Sequence, residues 1–157
     1  EVVEERGPTL LVDGRVLVSG QVPRVSGFET GFPIHHARAR DGWEPDPLIL
    51  DDQNLILDVA GKGLVVVSGC SHAGAINVLH NAQRLTGHRR VAGFIGGFHL
   101  TGAIFEPIIE PTIAAFADLG VERVVPGHCT GWKATHRLAQ AMPNAFVQPS
   151  VGTVLRF

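Results

Sequence analysis

The spacing of apolar and polar residues changes character near Pro47. Upstream, the apolar pieces are short, at 10–12 and 16–19, and the Asp13-Gly14 pair between them predicts a tight β-hairpin. From Gly20 to Pro47 a candidate element never runs far before Pro23, Gly27, Gly31, Pro33, Gly42, Pro45 or Pro47 breaks it. That stretch predicts a long irregular loop, facing a substrate or ordered by a neighbouring domain.

Downstream the periods become regular. Residues 48–50 and 55–59 read as strands around Asp51-Asp52-Gln53-Asn54, and 64–68, with Val65, Val66 and Val67, is apolar on both faces, as a buried strand is. Ile76, Leu79, Ala82 and Leu85 recur at helical spacing up to Gly87, a suitable helix stop. Residues 91–95 predict another buried strand, Ile109, Ile113, Phe116 and Ala117 a second helix closed by Gly120, and 121–125 a third strand. A helix over 130–141 and strands at 145–147 and 151–157 complete the reading. Strands alternating with helices predict an α/β layer, in which ligands gather just beyond the carboxyl ends of the strands.

Composition narrows the picture. With 157 residues, 45% of them hydrophobic, the chain suits a single domain over 1–157, divided into a hairpin and loop part (1–47) and a βα core (48–157). A net charge of -2 without a basic block argues against nucleic acid as a partner. Apolar runs fall short of the roughly 18 residues that cross a bilayer, and the polar Glu1 to Arg6 start does not resemble a secretory leader, so no membrane association and a cytoplasmic location are expected. Cys70 and Cys129 each adjoin a histidine. That placement suggests a metal neighbourhood more than a disulfide framework, and for the cysteines themselves the reading preferred over metal binding is a pair of small buried thiols.

The strand ends carry the chemistry. The strand over 64–68 runs into Gly69-Cys70-Ser71-His72-Ala73-Gly74, that over 91–95 into Gly96-Gly97-Phe98-His99-Leu100-Thr101-Gly102, and that over 121–125 into Pro126-Gly127-His128-Cys129-Thr130-Gly131. A lone histidine at a strand end is usually a hydrogen-bonded residue. Three at equivalent ends of strands about 4.8 Å apart predict convergence on a shared cation. His35 and His36 fall in the irregular loop and His80, His88 and His136 on helices or a helix end, so they are set aside, as are the solvated carboxylates Asp58, Glu110 and Asp118.

Taken in order, Gly-Cys-Ser-His-Ala-Gly, Gly-Gly-Phe-His-Leu, Pro-Gly-His-Cys-Thr-Gly and the final Val151-Gly152-Thr153 resemble the C-terminal half of the metallo-β-lactamase superfamily. The match is to the branch labelled 7,8-dihydropterin-6-yl-methyl-4-(β-D-ribofuranosyl)aminobenzene 5′-phosphate synthase-like. Ser19-Gly20-Gln21-Val22-Pro23-Arg24, Phe28-Glu29-Thr30-Gly31-Phe32-Pro33 and Asp51-Asp52-Gln53 also resemble it. The resemblance implies half of a four-layer αββα sandwich whose cleft holds one or two metal ions, zinc first, with iron or manganese as alternatives. It further implies His72 and His128 as ligands. Two departures stand out. Gly96-Gly97 occupies the place of the bridging aspartate, leaving that role to His99 or unfilled, and the His-x-His-x-Asp-His motif does not occur, which predicts a chain completed by a missing N-terminal half or another chain.

Roles follow from these positions: His72, His128 and His99 as metal ligands, with His99 also a substrate-facing catalytic group. Ser71, Thr101 and Thr130 are expected to donate hydrogen bonds around the metal ligands or to a small, phosphorylated substrate; Arg24 reads first as a solvated residue and second as one that meets the substrate's phosphate. The activity expected is metal-dependent hydrolysis or a dihydropterin/phosphoribosyl synthase-like transfer. The alternatives are a non-catalytic half-domain acting through association, and an iron-binding redox protein of the same fold.

Overall fold

The computed structural model describes residues 2–157. Eight strands and three helices follow one another as β1 (Thr9–Leu11), β2 (Val16–Val18), β3 (His36–Ala39), β4 (Gly42–Pro45), β5 (Asn54–Val59), β6 (Gly63–Ser68), α1 (Ala75–Thr86), β7 (Val91–Gly97), α2 (Ile109–Asp118), β8 (Val124–Gly127) and α3 (Trp132–Ala141). A six-stranded sheet has the order β1-β2-β5-β6-β7-β8, and β3 and β4 form a separate hairpin. β1, β2, β5 and β6 pair antiparallel, whereas β6-β7 and β7-β8 are parallel. The parallel pairs require crossovers, which α1 and α2 supply. Two right-handed crossovers stepping in the same direction place both helices on one face of the sheet. The fold is therefore α/β.

The core lies between this face and the helices. Ile56, Val66 and Phe94 are register partners on neighbouring strands, are at most 2% exposed, and join Ile76, Leu79, Ile113, Phe116 and Leu138 in one cluster. Phe94, Phe98 and Phe116 meet with ring centroids 4.7–5.9 Å apart, which fastens the loop after β7 onto α2. Each buried ring is worth about 3 kcal/mol. On the opposite face lie Leu55, Val67 and Ile95, aligned across β5, β6 and β7. Leu55 is 40% exposed, and the cover nearby is the C-terminal Phe157, whose ring sits where a side chain on Gly93 would project.

Four expectations need correction. Residues 48–50 form turns, because Asp46 and Pro47 keep the segment from pairing: the Asp46 carboxylate accepts the Ile49 N–H at 3.2 Å. The stretch 20–47 is not wholly irregular, since it contains the β3–β4 hairpin, whose exposed residues carry no apolar alternation to betray it. The segment 145–147 makes only an isolated bridge, Val124 to Phe146, and 151–157 holds a turn and unpaired chain rather than a strand. Among the described residues no helix is long and apolar enough to cross a membrane.

Candidate functional site

β6, β7 and β8 deliver the His72, His99 and His128 loops to the same edge of the sheet. Each loop holds one non-glycine residue in the left-handed region: Ser71 (φ 56°), His99 (φ 48°) and His128 (φ 47°). Such residues cost about 1–2 kcal/mol each, and surrounding bonds must hold them. The Ser71 hydroxyl donates to the Gly97 carbonyl at 2.7 Å and lies 2.8 Å from the Ser68 hydroxyl. Thr130 accepts the Phe98 N–H at 3.1 Å and donates to the Gly127 carbonyl at 2.8 Å. The three loops are thus stitched to one another. Close approach explains the glycines, because a Cβ on Gly96 would fall 1.9 Å from the Ser68 carbonyl oxygen and one on Gly97 would fall 2.6 Å from that of Gly69.

The His72 and His99 rings meet edge to face, 4.6 Å between centroids. Phe105 stands against the other side of His99 at 4.4 Å and Phe32 at 5.9 Å. Burial, then the nearby charges of His72 and His128, lowers the His99 pKa from 6.5 to about 4, so the ring is neutral at neutral pH. Its Nδ1 is buried with no hydrogen-bond partner. A cleft of about 130 Å³ opens beside these rings, bordered by Arg24, Phe28, Thr30, His72, Phe98, His99, Ile104 and Phe105.

His128, near enough to His99 to bear on its pKa, also has two thiols beside it. One of its ring nitrogens and the Sγ atoms of Cys70 and Cys129 all fall within 4.8 Å of one another, a three-donor group that sequence reading set aside in favour of plain buried thiols. Both cysteines are free and half-buried. Cys129 Sγ lies 3.4 Å from the Cys70 carbonyl oxygen, and burial pushes its pKa up to about 12. The available signal was the Cys-x-His and His-Cys adjacency at two parallel strand ends.

Another role, that of clamping the chain after His72, went unnoticed because the residues that share it are far apart in sequence. The carboxylate of Glu29 accepts the N–H groups of Ile76 and Asn77 at 2.9 Å, so the first turn of α1 is capped from 47 positions upstream. The Asn77 side chain returns the contact, accepting the Val25 and Ser26 N–H groups at 2.7 Å. Asp52 accepts the Ala73 N–H at 3.2 Å. Arg24 donates to the carbonyls of His72 (3.0 Å), Ala73 (2.7 Å), Leu48 (2.6 Å) and Glu29 (3.4 Å). These groups clamp the peptide immediately after His72.

Of the expected substrate donors, Ser71 and Thr130 are buried at 1% exposure and bonded within the chain, whereas Thr101 is exposed and packs on Gly131. Arg24 borders the cleft, with its N–H groups directed to backbone oxygens. The residues set aside sit elsewhere: His88 pairs with Asp58 at 3.2 Å and Glu110 with Arg137 at 2.7 Å.

No family model matches the chain. Over 108 residues, 69% of its length, it is 36% identical to a protein of Methanocaldococcus jannaschii named 7,8-dihydropterin-6-methyl-4-(β-D-ribofuranosyl)-aminobenzene-5′-phosphate synthase. Over 155 residues it is 32% identical to an uncharacterised protein of the same organism. The matched regions cover 36% and 54% of those relatives, so the chain spans about half or less of their length. A crystal structure described as a metal-dependent hydrolase of the β-lactamase superfamily superposes over the whole chain with a TM-score of 0.83 at 28% identity, using 58% of that structure.

Proposed function

We propose, for a chain that has the metallo-β-lactamase fold and is similar in sequence to a pterin-linked phosphate synthase, that it supplies metal ligands and one wall of the reaction cleft to a metal-dependent enzyme. The proposed chemistry is hydrolysis, or the related transfer on a dihydropterin or phosphoribosyl substrate. The metal expected is zinc, with iron or manganese as alternatives. The observation that carries the reading is the buried, unpartnered Nδ1 of His99. A buried polar atom left without a partner costs about 1–3 kcal/mol, and here it belongs to a ring that touches His72 and, like His72, borders the cleft, where a cation would satisfy it. Neutral imidazoles are the donor type that zinc and iron accept.

A cation held by these rings would act as a Lewis acid and bring the pKa of a water toward neutrality. The other contributions come from the chain. Because the His99 pKa is about 4, its ring has no second proton to give at neutral pH, and it serves as a lone-pair donor rather than as an acid. Phe32 and Phe105 exclude water from its flank. Arg24 adds positive potential to the cleft wall while its hydrogen bonds hold the His72 peptide. At about 130 Å³ the cleft accommodates a reacting phosphoryl or carbonyl group, and the remainder of a pterin-sized substrate would lie beyond it.

The test is metal content after equilibration of the full chain with zinc, iron or manganese, compared with His72→Ala, His99→Ala and His128→Ala. The expected result is a stoichiometric ion lost or weakened at least tenfold in each variant. Equal metal binding by all four proteins would refute the proposal.

A further inference from the structure

The three histidines of the proposed function leave two neighbouring donors unexplained, the thiols of Cys70 and Cys129. Cys70 comes from the loop after β6 and Cys129 and His128 from the turn after β8, and their donor atoms lie within 4.8 Å of one another with the loop after β7 between them. Tetrahedral zinc with Zn–S bonds of about 2.3 Å holds its ligand atoms roughly 3.5–3.8 Å apart, so these donors need to close by no more than about 1 Å. Surface cysteines rarely collect in this way, and the fold makes deliberate room for them. Gly97 faces the pair, and a Cβ there would fall 2.7 Å from Cys129 Sγ and 3.2 Å from Cys70 Cα.

Two other uses of the thiols fit less well. As packing hydrophobes they would be fully enclosed, yet both are half-buried and lie beside the exposed His128. A disulfide would join the two sulfurs and leave the His128 nitrogen, which lies within 4.8 Å of both, without a role. Two sulfurs and one imidazole make a soft donor set, which selects thiophilic ions over magnesium or calcium. Three protein ligands of this kind, with a fourth position open, match the type of zinc site that keeps a place for water or substrate.

We propose that Cys70, Cys129 and His128 form a cation site of their own, separate in donor chemistry from His72 and His99, which takes one thiophilic divalent ion of the zinc class through two thiolates and one imidazole. Binding forms two metal–sulfur bonds and one metal–nitrogen bond, and the two thiol protons leave to solvent. The site shares His128 with the reading given above but does not require His72 or His99.

The experiment is titration of the metal-free full chain with cobalt(II), read by sulfur-to-cobalt charge-transfer absorption in the near ultraviolet. The expected result is a saturable band that falls by half or more in Cys70→Ser and in Cys129→Ser, weakens in His128→Ala, and survives in the His72→Ala/His99→Ala double variant. A second measurement needs no variant: zinc should protect both thiols of the wild-type chain from iodoacetamide at least tenfold, and should release two protons per ion. Absence of the charge-transfer band, its persistence in Cys70→Ser/Cys129→Ser, or unprotected thiols at saturating zinc would overturn the inference. Loss of metal in the His72, His99 and His128 variants, with undiminished binding in Cys70→Ser/Cys129→Ser, would do the same while leaving the proposed function standing, so the two readings fail separately.

Discussion

Removing the Glu29 carboxylate tests whether the loop that follows His72 is held from a distance. Glu29 is 4% exposed and accepts the Ile76 and Asn77 N–H groups at 2.9 Å, and neither peptide is yet inside the hydrogen-bonding ladder of α1. Glu29→Ala strands two N–H donors and opens a space beside Gly74, whose missing side chain now leaves room for the carboxylate: a Cβ there would lie 2.4 Å from Glu29 Cδ. At about 1–2 kcal/mol for each stranded donor, the loss should be about 3 kcal/mol, above the range of an ordinary surface cap. Urea unfolding should show a lower midpoint with an unchanged slope. The acid range supplies a second readout. Burial raises the Glu29 pKa above the ordinary carboxylate range, opposed by the bonds from Ile76, Asn77 and Ser26 and by the charge of Arg24. The folded chain therefore binds this proton more tightly than the unfolded chain does. The stability linked to it is complete below the ordinary carboxylate range and is lost as pH rises through the raised value. The stability difference between wild type and Glu29→Gln should accordingly shrink as pH rises across that window. A loss under about 0.5 kcal/mol for Glu29→Ala would refute the reasoning, because two satisfied buried donors cannot be that cheap to strand.

Three further outcomes follow from the site. Gly96→Ala puts a Cβ 1.9 Å from the Ser68 carbonyl at a φ of 134° and should destabilise the chain by about 3 kcal/mol, measured by urea unfolding; a neutral result would mean that β6 and β7 can separate without cost. In the metal-free chain the His99 ring should titrate near 4 by NMR, and because the folded pKa is depressed, its contribution to stability should be present above 6.5 and fade as pH falls toward 4. A midpoint near 6.5 would show that His99 is not enclosed. The exposed Arg137–Glu110 pair, by contrast, should contribute nothing measurable, so Arg137→Ala should leave the urea midpoint within error.

Those parts of the fold whose causes are local were legible in the sequence. The apolar runs of β6 and β7 and the 3.6-residue spacing of α1 and α2 come from residues within one element, and their positions agree with the expectation to within a few residues. Non-local causes were not legible. Residues 151–157 have the composition of a strand, yet Phe157 is used to cover Gly93 and the segment pairs with no neighbour in the sheet. β3 and β4 have little apolar pattern because all but Ala39 of their residues are exposed. At the site, glycine followed by histidine at three strand ends pointed to the edge of the sheet where the loops after β6, β7 and β8 lie together. It did not reveal that two thiols stand beside His128 or that the His72 and His99 rings touch, since those placements come from loop conformation, with left-handed turns at Ser71, His99 and His128, and not from spacing. Glu29, Asp52 and Asn77 had no local signature, because each acts on a backbone 21 to 52 positions away.

Arg24 and Glu29 border the cleft, and Arg24 also holds the His72 peptide while Glu29 caps the helix that follows it, so this wall is a poor place for specificity to drift. Any replacement that reshapes the opening there moves an imidazole as well, and selection for a new substrate meets selection for the old geometry in one side chain. Tolerance should instead collect at Thr30 and Ile104, exposed rim positions whose side chains carry no such second duty. A library varied at those two positions would sample new openings while sparing the clamp.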